Sequence, residues 1–307
     1  MGQRKIPKLA LGSFRTRGYG LDRPVGICVD AGGTLWAADR GSLVAHIISD
    51  DTTERFGNGD AVPNGLAVDL QGRILIADYG HLTLRRLDPT TGKIEMLVTE
   101  VEGRKMARAN YPALDPSGRI WCTNSTSLQD DLAALRNKID DGFVFILESD
   151  GSSSIVGEGL HFASGLVFSK DFAWFYIVES STCRIVRAPV LPGGRLGKIE
   201  PFGLVLEATP NGIAFDCDAN LWVTLLIEKC ALVIIDREGS VHTVIEDPQG
   251  VVLSRPTNVS SVGADMCDIF VASLDRDAVL CSRVGVPGVA LPGQMKAVYH
   301  YADEQAS

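Results

Sequence analysis

Residues 62–69 read VPNGLAVD, and residues 209–216 read TPNGIAFD, almost the same eight-residue phrase. Each joins a turn-forming Pro-Asn-Gly to a short apolar run that ends on an acidic residue, the pattern of a strand running into a tight turn. Aligning on the residue five before that acidic turn gives six anchors: Val25, Asn64, Asn110, Ser164, Asn211 and Asn258. A second apolar run follows each anchor: GTLWAAD, GRILIAD, GRIWCTN, AWFYIVE, NLWVTLL and CDIFVAS. The anchors are spaced 39, 46, 54, 47 and 47 residues apart, and the second runs end 14 or 15 residues after them, at Asp39, Asp78, Asn124, Glu179, Leu225 and Ser273. So constant an offset describes an antiparallel hairpin, with the start of strand one and the end of strand two at the same edge.

A repeat of about 40–50 residues with several strands per unit is the period of a β-propeller blade. The expected fold is therefore all-β: a six-bladed β-propeller of four-stranded antiparallel blades around a central channel, one domain over residues 1–307. Third strands follow in most units, as in LTLRRLD (82–88), FVFILES (143–149), CRIVRAP (183–189) and ALVIIDR (231–237). The fourth strands are less distinct. Residues 1–20 are placed to close the ring as an outer strand of the last blade, which removes an exposed sheet edge. The one helix-like stretch, SLQDDLAALRNKID (127–140), repeats Leu128, Leu132, Leu135 and Ile139 at helical spacing. It lies within 125–142, between strands two and three of the third blade. There it is either a lid over the channel mouth or a solvated helix on the blade edge.

Composition narrows the partners. The 29 Lys and Arg against 38 Asp and Glu leave a formal charge of −9, which disfavours nucleic acid and anionic membranes, since both need a basic surface. No apolar run is long enough to span a bilayer, and the start MGQRKIPKLALGSF has neither a long apolar core nor the Ser or Thr that a myristoylation signal needs at position 6. A cytoplasmic protein acting on a small molecule is expected. Its seven scattered cysteines, with no CxxC, read as buried thiols rather than a disulfide frame or zinc site. No phosphate loop, nucleophile elbow or multi-histidine cluster is present.

In a propeller the first strands line the channel, so the six anchors form a ring there. Asn64, Asn110, Asn211 and Asn258 bring amides to it, Ser164 a hydroxyl, and Asp22 lies on the loop just ahead of the first anchor. Converging oxygens suit a hard cation or a polar substrate, although Asn before Gly also caps its own turn. Glu179 has the reach to enter the channel or, alternatively, to pair with Arg184. Tyr79, Tyr111, Leu225 and Leu226 on the same face suggest a substrate less polar than a sugar lactone.

The phrases PNGLAVDLQGRILIAD (63–78), RANYPALDPSGRIWCTN (108–124), SGLVFSKDFAWFYIVESSTCRI (164–185), PNGIAFDCDANLWV (210–223) and PTNVSSVGADMCDIFVAS (256–273) together resemble the SMP-30/gluconolactonase/luciferin-regenerating-enzyme family. The likeness runs from about Leu21 to Gly293. It implies a six-bladed propeller that holds one divalent cation, Ca2+ or Zn2+, in the channel and opens lactones. Carried over by position, it implies Asp22, Ser164 and Asn211 as metal ligands, with Asn211 also where the family places its base, and Arg108 and Asn110 as substrate contacts.

Three of those positions depart from the family pattern. Asp22 stands for Glu, Ser164 for Asn, and Asn211 for Asp, so one carboxylate is left where two are usual. An amide cannot serve as a general base in the useful pH range, which passes that task to Asp22 or Glu179. The leading expectation is thus a lactonase-like hydrolase of a small cyclic ester, with catalytic Asp22, Asn211 and Glu179 and with Arg108, Asn110, Tyr111, Tyr79 and Leu225 around the substrate. The alternatives are a metal-independent isomerase, cyclase or condensing enzyme of the strictosidine-synthase type, whose VES...CRI phrase is shared, and a propeller that binds a ligand without catalysis.

Overall fold

A computed structural model describes residues 5–50, 52–262 and 265–294. The first four residues of the ring-closing segment lie outside them. Six antiparallel sheets stand around an axis, each ordered inner to outer as in the sequence. The inner strands are Ile27–Val29, Pro63–Val68, Ala109–Leu114, Ala163–Phe168, Pro210–Phe215 and Pro256–Val262, and they define blades 1 to 6. The sixth blade takes its outermost strand from the N-terminal side, Arg15–Arg17, which pairs with Val279–Arg283. In blade 4 the third strand, Arg184–Leu191, pairs with the outer strand Glu200–Phe202 and, at its end, with an extra short strand, Arg195–Leu196.

The acidic letter that ends each repeated phrase has a definite task. Asp30, Asp115 and Asp216 each accept the backbone N–H groups two and four residues on, closing the hairpin turn. Their second carboxylate oxygen accepts the indole N–H of Trp36, Trp121 and Trp222, at 3.0, 3.1 and 3.1 Å. One side chain thus fixes the turn and satisfies the only polar atom of a buried tryptophan.

Because inner and second strands are covered on both faces, they read as continuous apolar runs rather than alternating ones. Six apolar clusters of buried residues, one at each seam between neighbouring blades, form the core. At the axis the strands approach so closely that a Cβ on Gly26, Gly65, Gly165 or Gly212 would lie 2.1–2.5 Å from a carbonyl oxygen of the next inner strand. These are the residues that follow the anchors, which explains the Asn-Gly and Ser-Gly spelling. In blades 2 to 6 a β-bulge interrupts the register at the anchor, between Pro63 and Leu66 in blade 2 and at the matching places in the others. A bulge inserts one residue and re-aims its side chain.

The helix spans Asp131–Asn137, with Asp130 accepting the N–H groups of Leu132 and Ala133 as its N-cap. Of the stripe read at helical spacing, Leu128, Leu135 and Ile139 are half-buried and Leu132 is exposed, while Ala134 is the residue the helix buries fully. Among the described residues no helix is long and apolar enough to cross a membrane.

Candidate active site at the channel mouth

Strand-one starts and strand-two ends meet on one face of the propeller, and that face holds the polar side chains. The anchor ring is wired from blade to blade. The Asn64 side-chain N–H donates to the Asn110 side-chain oxygen at 2.6 Å, and the Asn110 N–H donates to the Ser125 hydroxyl at 2.5 Å. Ser164 and Ser180 share a hydrogen bond of 2.7 Å, and Ser180 also reaches the Pro210 carbonyl at 2.7 Å. These groups are all buried, so the pairing discharges the cost of taking amides and hydroxyls out of water.

Tyr111, directly after the Asn110 anchor, occupies a position where four other blades have glycine. Its backbone N–H is satisfied by the Thr123 hydroxyl at 3.0 Å. Its own hydroxyl donates to the Thr257 carbonyl of blade 6 at 3.0 Å, and lies 3.4 Å from the Asn211 side-chain oxygen and 3.5 Å from the Val25 carbonyl. The phenol therefore crosses the channel from blade 3 to the opposite blade and forms a floor. Beyond it the channel is apolar, a cavity of about 90 Å³ closed at the far end by residues 289–294.

Above the floor stands Arg108, two residues before its anchor. Its guanidinium lies over the Tyr79 ring, 4.9 Å from the centroid, and its Nε is 2.8 Å from a carboxylate oxygen of Asp131, on the helix. It also donates to the Gln129 carbonyl. Burial pushes the Tyr79 phenol well above its ordinary pKa, with Asp131 adding to the rise and Ser125, Arg23 and Arg108 opposing it. Burial likewise raises Tyr111. Both phenols stay protonated throughout the neutral range and remain hydrogen-bond donors. Arg23, at the matching place in blade 1, completes the mouth, with one nitrogen 3.4 Å from the Pro63 carbonyl.

The site residues read from the sequence divide into two groups. Arg108, Asn110, Tyr111, Tyr79, Ser164 and Asn211 meet at the mouth and its floor. Asp22, Glu179 and Leu225 are occupied elsewhere. Asp22 is about half exposed and held by both prongs of Arg40, at 2.9 and 3.1 Å. Glu179 is buried, pairs with Arg184 and accepts the His161 backbone N–H at 2.9 Å. That bond caps the loop ahead of strand one, as Asp39 does for Asp22 and Asp78 for Val62. Leu225 packs in the apolar seam between blades 4 and 5. Sequence reasoning missed Arg23 and Asp131; an arginine squeezed between Asp22 and Pro24, and an acid in the first turn of the helix, were the available signals.

A divalent cation on Asp22, Ser164 and Asn211 does not fit this arrangement. Such an ion needs several oxygens at about 2.3–2.6 Å, with carboxylates for affinity. Here the one carboxylate is engaged by Arg40, and the Tyr111 hydroxyl stands 3.4 Å from the Asn211 side-chain oxygen. Among the described residues no group of three or more His, Cys, Asp or Glu is placed to hold a metal ion.

A sequence model described as SMP-30/Gluconolactonase/LRE-like region matches residues 45–275. The chain is 31% identical over 173 residues to protein STRICTOSIDINE SYNTHASE-LIKE 10 of Arabidopsis thaliana, an alignment covering 54% of this chain and 46% of that protein, so it spans about half the length of that relative. It is 25% identical over 214 residues to a 6-deoxy-6-sulfogluconolactonase of Pseudomonas putida, covering 64% of this chain and 69% of the other. A solved gluconolactonase from Xanthomonas campestris superposes with a TM-score of 0.72 at 21% identity, over 90% of this chain and 89% of that one.

Proposed function

The chain belongs to the SMP-30/gluconolactonase/LRE-like family, and from that premise we propose that it is a lactonase-type hydrolase of a small cyclic ester, working at the channel mouth with guanidinium groups where the family resemblance implies a cation. One observation carries the reading: Arg108, held by Asp131 and stacked on Tyr79, sits above a channel floor that Tyr111 closes.

A lactone resting on that floor presents its carbonyl oxygen to Arg108, whose fork of donors is suited to the charge that develops as water attacks. Asp131 is the carboxylate beside it and takes the proton of the attacking water. The new C–O bond forms, the ring C–O bond breaks, and the proton held by Asp131 passes to the departing ring oxygen, giving the open hydroxy acid. Tyr79 fixes the guanidinium plane by stacking. Asp22 and Glu179 stand beside Arg40 and Arg184 rather than beside Arg108, and have no part in this scheme.

The test is a panel of γ- and δ-lactones followed by pH-stat titration, with wild type, Arg108→Ala and Asp131→Asn compared. Hydrolysis that both substitutions depress by about a hundredfold or more supports the scheme. Hydrolysis unchanged in both variants overturns it. A second reading, an isomerase, cyclase or condensing enzyme, is favoured by the neutral amide ring; turnover of a substrate without net uptake of water would select it.

A further inference from the structure

Arg23 is the cation at the mouth that the chain leaves without an acidic partner. Three neighbouring arginines are neutralised, Arg108 by Asp131, Arg40 by Asp22 and Arg255 by Asp275, while Arg276 donates to the Val251 and Val252 carbonyls. Among the described residues, no carboxylate lies within ion-pair distance of Arg23, and its one hydrogen bond is the long contact to Pro63. Burial pulls its pKa below the ordinary value, with Tyr79 and Asp131 opposing and Arg40 reinforcing the fall. The guanidinium is thus half-buried and incompletely compensated, an arrangement that folding alone disfavours.

The backbone also holds it there deliberately. Arg23 has φ of 57°, a left-handed conformation uncommon for a residue with a Cβ, and Pro24 follows it. That turn directs Arg23 to the mouth while Asp22 faces Arg40. Beside the mouth a solvent-open recess of about 460 Å³ is bounded by Arg23, Arg40, Arg255 and Arg276 against Asp22, Asp275 and Asp277. Four guanidiniums thus face three carboxylates, in a protein whose net charge is −9.

We propose that this recess receives an anionic oxygen group, a carboxylate or sulfonate, carried by the molecule whose ring occupies the mouth, with Arg23 as the residue that selects it. The substrate class becomes an acidic lactone rather than a neutral one. The inference rests on the hydrolase reading only for the identity of the reacting ring; the anion preference stands or falls without it. A planar carboxylate matches the guanidinium fork, and the neighbouring Arg40 and Arg255 raise the local potential without having to give up their own partners.

Binding without turnover separates the two. Cyclopentanecarboxylate, cyclopentanesulfonate and neutral cyclopentanecarboxamide, none of which the protein can hydrolyse as a lactone, are titrated calorimetrically into wild type, Arg23→Gln and Arg23→Lys. The expected result is at least about tenfold tighter binding of one or both anions than of the amide in wild type, loss of that preference in R23Q, and partial retention in R23K. Binding of both anions assigns an oxyanion site in general, and binding of one assigns its chemistry. Equal binding of all three, no binding of either anion, or a preference that survives R23Q overturns the proposal. Should R23Q fold poorly, the wild-type selectivity and the intermediate R23K affinity still decide it. Lactone hydrolysis that fails while the anion preference holds would sink the hydrolase reading alone.

Discussion

The Tyr111 hydroxyl of blade 3 donates to the Thr257 carbonyl of blade 6 at 3.0 Å, a bond that spans the ring from one side to the other. It ties opposite inner strands together and separates a polar mouth from an apolar lower channel. Tyr111→Phe should cost about 1 kcal/mol, the net worth of one hydrogen bond, plus the penalty of an unpaired carbonyl. Tyr111→Ala should cost about 3–5 kcal/mol through the void it leaves at the axis. Urea unfolding midpoints measure both, and equal stability of Y111A and wild type would mean that the phenol carries no part of the closure.

Glu179 offers a direct contrast between structural and catalytic roles. Glu179→Gln removes the charge paired with Arg184 while keeping an acceptor for the His161 N–H. A loss of about 1–3 kcal/mol in stability is expected, with kcat/KM on any lactone substrate within about twofold of wild type once the protein is folded. A collapse of kcat at unchanged stability would return Glu179 to the chemistry.

The blades were legible because hairpin spacing and the recurring acidic turn both follow from local rules, and each copy reinforced the others. The anchor residues were legible for the same reason. What the side chains face was not. Asp22 lies one residue from Arg23, yet the left-handed turn at Arg23 sends one to the surface and the other to the mouth. The bulges that aim the anchors depend on pairing between strands, and Tyr111 closes the channel through partners 146 residues away. Asp131 was hidden in a helix whose apolar spacing says which face packs and nothing of what its acidic first turn meets.

Acid should weaken the turn staple at Asp115. At Asp115 burial alone would raise the pKa, but hydrogen bonds from Ser117, Trp121 and Arg119 outweigh it and hold the carboxyl below its ordinary value. A group whose folded pKa is depressed contributes stability above its unfolded pKa of about 3.9 and loses it as pH falls through the lower folded value. The stability gap between wild type and Asp115→Asn should therefore be constant above about pH 5 and narrow below about pH 4. A gap that widens on acidification would reverse the sign.

The phenols of Tyr79 and Tyr111 should ionise late. Spectrophotometric titration at alkaline pH is expected to show Tyr79 and Tyr111 ionising above the ordinary phenol range, because burial raises both pKa values. Substituting Tyr79 by Phe should remove one late-titrating phenol. Removal of an early one instead would place Tyr79 in contact with water.

The most direct measurement is the rate of lactone hydrolysis by wild type and Arg108→Ala, each with and without an excess of divalent-cation chelator. Activity that the chelator leaves unchanged and R108A lowers by about a hundredfold is the expected result. Activity abolished by the chelator, restored by added Ca2+ or Zn2+ and indifferent to Arg108 would contradict a guanidinium-based site.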